Sequence, residues 1–221
     1  MTETLATRLD AALPQHQCQR CGYDDCRSYA EAIAAGKADI NRCSPGGELV
    51  IESLAELAGR ALRPLAADVE PFPMDQVARI DPATCIGCTK CLPPCPVDAI
   101  VGAPKYLHEV MEVACTGCGL CIPACPVDCI SLVAVEDEAA AARRMNPPTA
   151  RTGLERARLM HRGGELRERY RRHEARRATS QRRRKRELDT GDADDLDARR
   201  AEIAAAVERV RARRAERARQ R

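Results

Sequence analysis

The chain contains no Trp, one Phe and four Tyr, so the side chains that bury most area are nearly missing. Its apolar content leans on alanine and cysteine, which excludes a large conventional hydrophobic core. Domains that bury so little apolar surface generally need disulfides or metals as staples. Long hydrophobic runs are missing too. A membrane span needs roughly 18 apolar residues, and the best stretch, Leu49 to Ala67, is broken by Glu52, Glu56, Arg60 and Arg63. The opening Met1-Thr-Glu-Thr-Leu-Ala-Thr-Arg8 has neither the basic start nor the apolar stretch of a secretory signal. No Ser–His–Asp set, Walker loop or dinucleotide fingerprint occurs, so no catalytic residue is assigned and no enzyme activity is read from the chain itself.

What the chain does have is cysteine, thirteen in all. An odd count, falling in C-x2-C triplets rather than dispersed pairs, argues for a reducing cytoplasmic setting over a secreted disulfide framework. Charge is divided. Residues 1–135 carry ten Lys+Arg against seventeen Asp+Glu, a formal −7, while residues 136–221 carry a formal +10. An acidic body with a basic tail is expected.

One sixteen-residue phrase is written twice. Cys85-Ile-Gly-Cys88-Thr-Lys-Cys91-Leu-Pro-Pro-Cys95-Pro-Val-Asp-Ala-Ile100 returns thirty residues later as Cys115-Thr-Gly-Cys118-Gly-Leu-Cys121-Ile-Pro-Ala-Cys125-Pro-Val-Asp-Cys129-Ile130, identical at ten of sixteen positions. Three thiolates within seven residues can wrap one iron–sulfur cube, and Gly87, Gly117 and Gly119 permit the tight turns. In two-cluster bacterial ferredoxins, which carry this same run, the fourth cysteine, before proline, ligates the other cluster. The expected ligands are Cys85, Cys88, Cys91 and Cys125 for one [4Fe–4S] cluster, and Cys115, Cys118, Cys121 and Cys95 for another. Structural zinc prefers two separated knuckles. Cys129 matches Ala99 in the first copy, so the duplication gives it no ligand role and it reads as a small buried residue.

Upstream, Cys18-Gln-Arg-Cys21-Gly-Tyr-Asp-Asp-Cys26 is followed after sixteen residues by Cys43-Ser-Pro-Gly-Gly. From spacing alone, zinc stays open for this set. A helix is expected over 4–13 with Thr4 as N-cap. Another runs from a Ser28/Glu31 capping box to Gly36, and a third over 48–59. Residues 63–75, with three prolines, read as a linker. Strands are expected over 77–81, 106–111 and 130–135, with a helical turn after each Cys-Pro. The resulting fold class is α+β: a helical four-cysteine module over 1–62, a linker over 63–76, a duplicated unit over 77–135 and a basic tail over 136–221. In the tail, Leu154, Leu159, Leu166 and Tyr170 give a loose stripe interrupted at Gly163-Gly164. A break is expected at Asn146-Pro-Pro148 and a hinge near Thr190-Gly191, between two solvated helices that can stay partly disordered without a partner. Arg20, Lys90, Lys105 and His108 read as solvated surface charge.

Residues 77–135 resemble a bacterial two-cluster ferredoxin. The four-cysteine module before them resembles the iron–sulfur domain that precedes it in the B subunit of Rnf-type electron transport complexes. That resemblance covers residues 14–135 and implies a third [4Fe–4S] cluster on Cys18, Cys21, Cys26 and Cys43. It also implies a relay of single electrons between a donor and an acceptor redox protein, with other complex subunits as partners. The acidic body around anionic clusters should hold potentials low. Many B subunits begin with a hydrophobic anchor that this sequence lacks, and the basic tail lies outside the family pattern. Location is expected in the cytoplasm or peripherally on the cytoplasmic face of the inner membrane, with the tail on anionic lipid or an acidic partner. The competing function is a nucleic-acid-binding or redox-sensing protein that uses the tail on phosphates, although interleaved aromatics for base stacking are missing.

Overall fold

The computed structural model describes residues 3–72, 76–135, 153–189 and 193–219. The expected break at 146–148 and hinge at 190–191 lie outside them. The described residues divide into two compact units, one made of those within 1–77, 116–118 and 133–170, the other of those within 78–115, 119–132 and 171–221.

In the first unit, α1 (Leu5–Ala12) starts at Thr4, whose hydroxyl accepts the Thr7 N–H as an N-cap should. Helix α2 (Cys26–Ala34) begins earlier than the expected capping box. Asp25 is its N-cap, accepting the Ser28 N–H at 2.6 Å, so Ser28 lies inside the helix. A carboxylate one turn upstream takes the site because Cys26 already has helical geometry. Helix α3 (Gly47–Ala58) ends at Gly59, in the left-handed conformation with φ 63°. Leu9, Leu13, Tyr29, Ile33, Ile51 and Leu54 close a small core among these helices. Arg60, just after α3, donates to the Ala38 and Ile33 carbonyls at 2.7 and 2.9 Å, tying the end of α3 to the end of α2 and the loop that follows it.

In the second unit the strands are short. β1 (Gln76–Ile80) pairs with β4 (Ile130–Ala134), and β2 (Ile100–Val101) pairs antiparallel with β3 (Glu109–Val110), Ile100 opposite Val110. The strand expected over 106–111 shrinks to β3, because Lys105 takes a left-handed φ of 70° and its N–H donates to the Gly87 carbonyl. The segments after each Cys-Pro form turns, with Asp98 and Asp128 both left-handed at φ 48° and 49°. Hydrogen bonds obey the thirty-residue offset. Met111 N–H donates to Ala99 O at 2.7 Å, and Asp81 N–H to Cys129 O at 2.8 Å. Each bond joins the end of one copy to the chain just before the other.

The basic tail forms α4 (Gly153–Asp189) and α5 (Ala193–Arg219). The interruption expected at Gly163-Gly164 does not occur; α4 continues through it. Gly163 is buried, and a Cβ there would lie 3.3 Å from the Leu13 carbonyl oxygen, so the small residue serves close packing. The helices are not simply solvated: Leu166, His173 and Val207 are buried. In the first unit Arg167 pairs with the Asp10 carboxylate at 2.9 Å and donates to the Asp10 carbonyl at 2.8 Å, and Tyr170 donates to Asp25 at 3.1 Å. In the second, His173 and Arg176 hold Asp98, while Arg214 donates to the Asp128 carbonyl at 3.3 Å.

Candidate metal centres

Cys18, Cys21, Cys26 and Cys43 line one cavity. The loop that enters it alternates: Gln15, Gln17 and Gln19 are all left-handed, at φ 60°, 52° and 62°. A non-glycine residue holds that conformation only where its surroundings over-determine it. Here a chain of amides does so. Gln15 donates to Asp10, Gln17 donates to Gln15 at 2.8 Å, and the Gln17 side-chain carbonyl accepts the Cys26 N–H at 2.7 Å. Below the cavity, Tyr29 donates to Asp39 O at 2.8 Å and accepts the Arg42 N–H at 3.0 Å. Arg42 in turn reaches the Cys21 carbonyl at 3.0 Å and pairs with Asp68 through two bonds. Burial raises the Cys18 thiol to about 11. Burial first, then the neighbouring Cys26, Cys18 and Cys21, push the Cys43 thiol well above the ordinary range.

Cys85, Cys88 and Cys91 line a second cavity together with Cys125, from the other copy of the phrase. Gly87 enables the turn between the first two: its φ is 67°, and a Cβ would come within 2.7 Å of Lys105 and Tyr106 backbone. Burial raises the Cys91 thiol to about 11, with Cys88, Cys85 and Cys125 adding to it. Two further side chains face this cavity that spacing and pattern alone do not place there. His108, expected on the surface, is 6% exposed, with Nδ1 3.7 Å from Cys85 Sγ. The reason is Gly102, which leaves room for the imidazole where a Cβ would overlap it. Burial lowers the His108 pKa below the ordinary imidazole value. Cys129 is buried as expected, yet its Sγ lies 3.4 Å from Cys125 Sγ. Burial, then the bond with Cys125, raises its thiol far above the ordinary value.

Of the third expected set, Cys95, Cys115 and Cys121 are buried and Cys118 is half-buried. Cys95 Sγ accepts the Ala99 N–H at 3.2 Å, and Cys115 Sγ accepts the Ala78 N–H at 3.5 Å. Burial raises the Cys95 thiol, and Cys115 adds to that rise. The other expected surface charges behave differently from His108: Lys90 is exposed and Lys105 pairs with Glu202 at 2.8 Å, while Arg20 lies 5.2 Å over the Phe72 ring.

The donor set suits iron–sulfur clusters. It consists of thiols ringing cavities, with backbone N–H groups aimed at sulfur, as anionic thiolates require. Around a lone zinc, four sulfurs at ~2.3 Å would crowd to within roughly 4 Å of one another. Among the described residues, no group of three or more His, Cys, Asp or Glu converges in that way on a single ion. Nor is any described helix long and apolar enough to cross a membrane.

Comparison with known proteins places these features in a family. Residues 78–132 match the model of a 4Fe-4S dicluster domain, and residues 13–45 match that of a putative Fe-S cluster. The B subunit of the ion-translocating oxidoreductase complex of Alkalilimnicola ehrlichii is 53% identical over 146 residues, spanning 62% of this chain and 74% of the relative. The corresponding B subunit of Edwardsiella ictaluri is 56% identical over 139 residues, spanning 62% and 72%. That of Azoarcus sp. is 53% identical over 110 residues, spanning 50% and 60%. No solved structure matches. A chain with this identity over both cysteine modules in the same order belongs to the family of B subunits of ion-translocating oxidoreductase complexes.

Proposed function

We propose that this protein is the electron-transfer subunit of an Rnf-type ion-translocating oxidoreductase complex, relaying single electrons through three [4Fe–4S] clusters. The observation that carries the reading is the pair of thiol-lined cavities, one ringed by Cys18, Cys21, Cys26 and Cys43, the other by Cys85, Cys88, Cys91 and Cys125. The third set is Cys115, Cys118, Cys121 and Cys95, which follows from the repeat. Each cluster, when bound, supplies one-electron redox chemistry at low potential.

The chain's own residues do the rest. Ala99 and Cys129 N–H groups donate to Cys95 and Cys125 sulfur at 3.2 and 3.3 Å, spreading thiolate charge. Buried Leu13, Tyr29 and Val127 exclude water from the cavities they line. The Gln15–Gln17 chain orients the loop bearing Cys18. No side chain is assigned a proton-transfer or bond-making role. The partners are other subunits of the complex, with a donor and an acceptor that are redox proteins, and the setting is the cytoplasmic membrane surface. No observation favours the nucleic-acid alternative: Arg167, Arg176 and Arg200 of the tail pair with Asp10, Asp98 and Asp197 of the same chain.

Anaerobic reconstitution with iron and sulfide, followed by metal analysis and EPR of the dithionite-reduced chain, tests the reading. Roughly twelve irons per chain and reversible bleaching of broad absorption are expected. Roughly eight irons would reassign the first module to zinc or free thiols, and a chain that stays colourless would end the proposal.

A further inference from the structure

The two copies of the cysteine phrase differ where it matters to the sulfurs. Subtracting the thirty-residue offset, His108 corresponds to Ala78 and Cys129 to Ala99. The backbone is equivalent at the second pair, since Ala99 N–H donates to Cys95 Sγ at 3.2 Å and Cys129 N–H to Cys125 Sγ at 3.3 Å. The side chains are not equivalent. Both polar substitutions fall on the cavity of Cys85, Cys88, Cys91 and Cys125. His108 Nδ1 stands 3.7 Å from Cys85 Sγ and Cys129 Sγ 3.4 Å from Cys125 Sγ. Their counterparts Ala78 and Ala99, beside Cys115 and Cys95, have no side-chain donor to offer.

We infer that His108 and Cys129 are positioning residues that make the two ferredoxin-type clusters unequal, the one on Cys85, Cys88, Cys91 and Cys125 having the higher potential. A ligating sulfur carries no proton, so at each contact the neighbour must donate. Cys85 as thiolate fixes His108 as the Nδ1–H tautomer, and Cys125 as thiolate turns the Cys129 S–H toward it. Among the described residues the buried His108 Nε2 has no hydrogen-bond partner, so Nδ1 is the ring nitrogen with a polar contact there. Hydrogen bonds to ligand sulfur stabilise the more negative, reduced state and raise its potential. The effect is local because the charge spread is on two sulfurs of one cluster. A near-symmetric duplicated unit thereby acquires a preferred resting place for its electron.

The inference rests on the electron-transfer reading, and the test separates the two. EPR-monitored redox titration of the reconstituted full chain is compared with H108A, C129A and the double variant, each with its iron counted. One midpoint potential should fall in the single variants and further in the double one, while the others stay. The converse variant Ala99→Cys, which leaves His108 and Cys129 untouched, should raise a different midpoint and narrow the gap. Midpoints that all shift together, or none that shifts at unchanged iron content, would overturn the inference. Loss of iron by the double variant passes the decision to Ala99→Cys, where an unmoved midpoint overturns it. A wild-type chain that takes up no iron and sulfide sinks the electron-transfer reading instead.

Discussion

Tyr29 shows how much one side chain can carry in a module this small. Its ring is 1% exposed, and its hydroxyl serves a donor and an acceptor at once. Tyr29→Phe keeps the ring and leaves the Asp39 carbonyl and the Arg42 N–H without their partner. The expected loss is about 1–3 kcal/mol of stability, read from thermal unfolding of the reconstituted protein. Cys125 makes the sharpest test of the exchanged fourth ligand. Cys125→Ser should lower iron from roughly twelve to roughly eight per chain, and the EPR signal that disappears should be the one that responds to Cys88→Ser, not to Cys118→Ser. The cysteines that line the two cavities are legible in the sequence because cluster spacing is local and the repeat doubles the signal. His108 is not. Its burial depends on the missing side chain of Gly102, six residues away and across a turn, and a lone His between Leu107 and Glu109 carries no sign of it. Cys129 is half legible: the repeat shows that position 99 manages without a thiol, yet says nothing about which sulfur lies beside it.

Among the elements, helix positions are easier to read than their first residues. Gly36 and Gly59 mark ends that the chain uses, both left-handed. The start of α2 differs from the expectation because Ser28 and Asp25 are both credible caps and only geometry chooses. Asp25→Ala should cost about 1 kcal/mol from the lost cap, and slightly more through Tyr170, measured as a lower unfolding midpoint. Helix α4 offers a pH test. His173 is 4% exposed and donates Nδ1–H to Asp98 at 2.8 Å, with Glu174, Arg176 and Arg177 around it. Burial lowers its pKa, with Glu174 opposing and Arg177 reinforcing. A folded pKa below the unfolded value means that stability is fully present above about pH 6.5 and is lost as pH falls toward the folded pKa. Protection factors of residues 171–186, with the intrinsic slowing of amide exchange at lower pH divided out, should therefore fall from about pH 7.5 to 5.5 in the wild type, and His173→Gln should flatten that dependence.

At the scale of the molecule, the charge division read from composition has a structural counterpart. The two repeat-equivalent aspartates, Asp98 and Asp128, each receive an arginine from the basic tail, Arg176 on one and Arg214 on the other. Composition announces the sign of the tail, but which carboxylates it meets depends on helix register and cannot be read in advance. Every residue lining the two thiol cavities lies within 13–45 or 80–130. A chain cut after residue 135 should accordingly keep its full iron content, with a lower unfolding temperature from the loss of Arg167 on Asp10.

The exchange of Cys125 into the cavity of Cys85, Cys88 and Cys91 also sets a timetable on the ribosome. The first module has all four thiols once residue 43 has emerged. The earlier copy of the phrase must wait for a residue forty positions beyond its own first cysteine, on the order of several seconds at bacterial rates of synthesis. During that interval Cys85, Cys88 and Cys91 wait without Cys125, beside the Cys95 of their own copy, and a cell making this protein has to shield these thiols from oxidant and from the wrong metal.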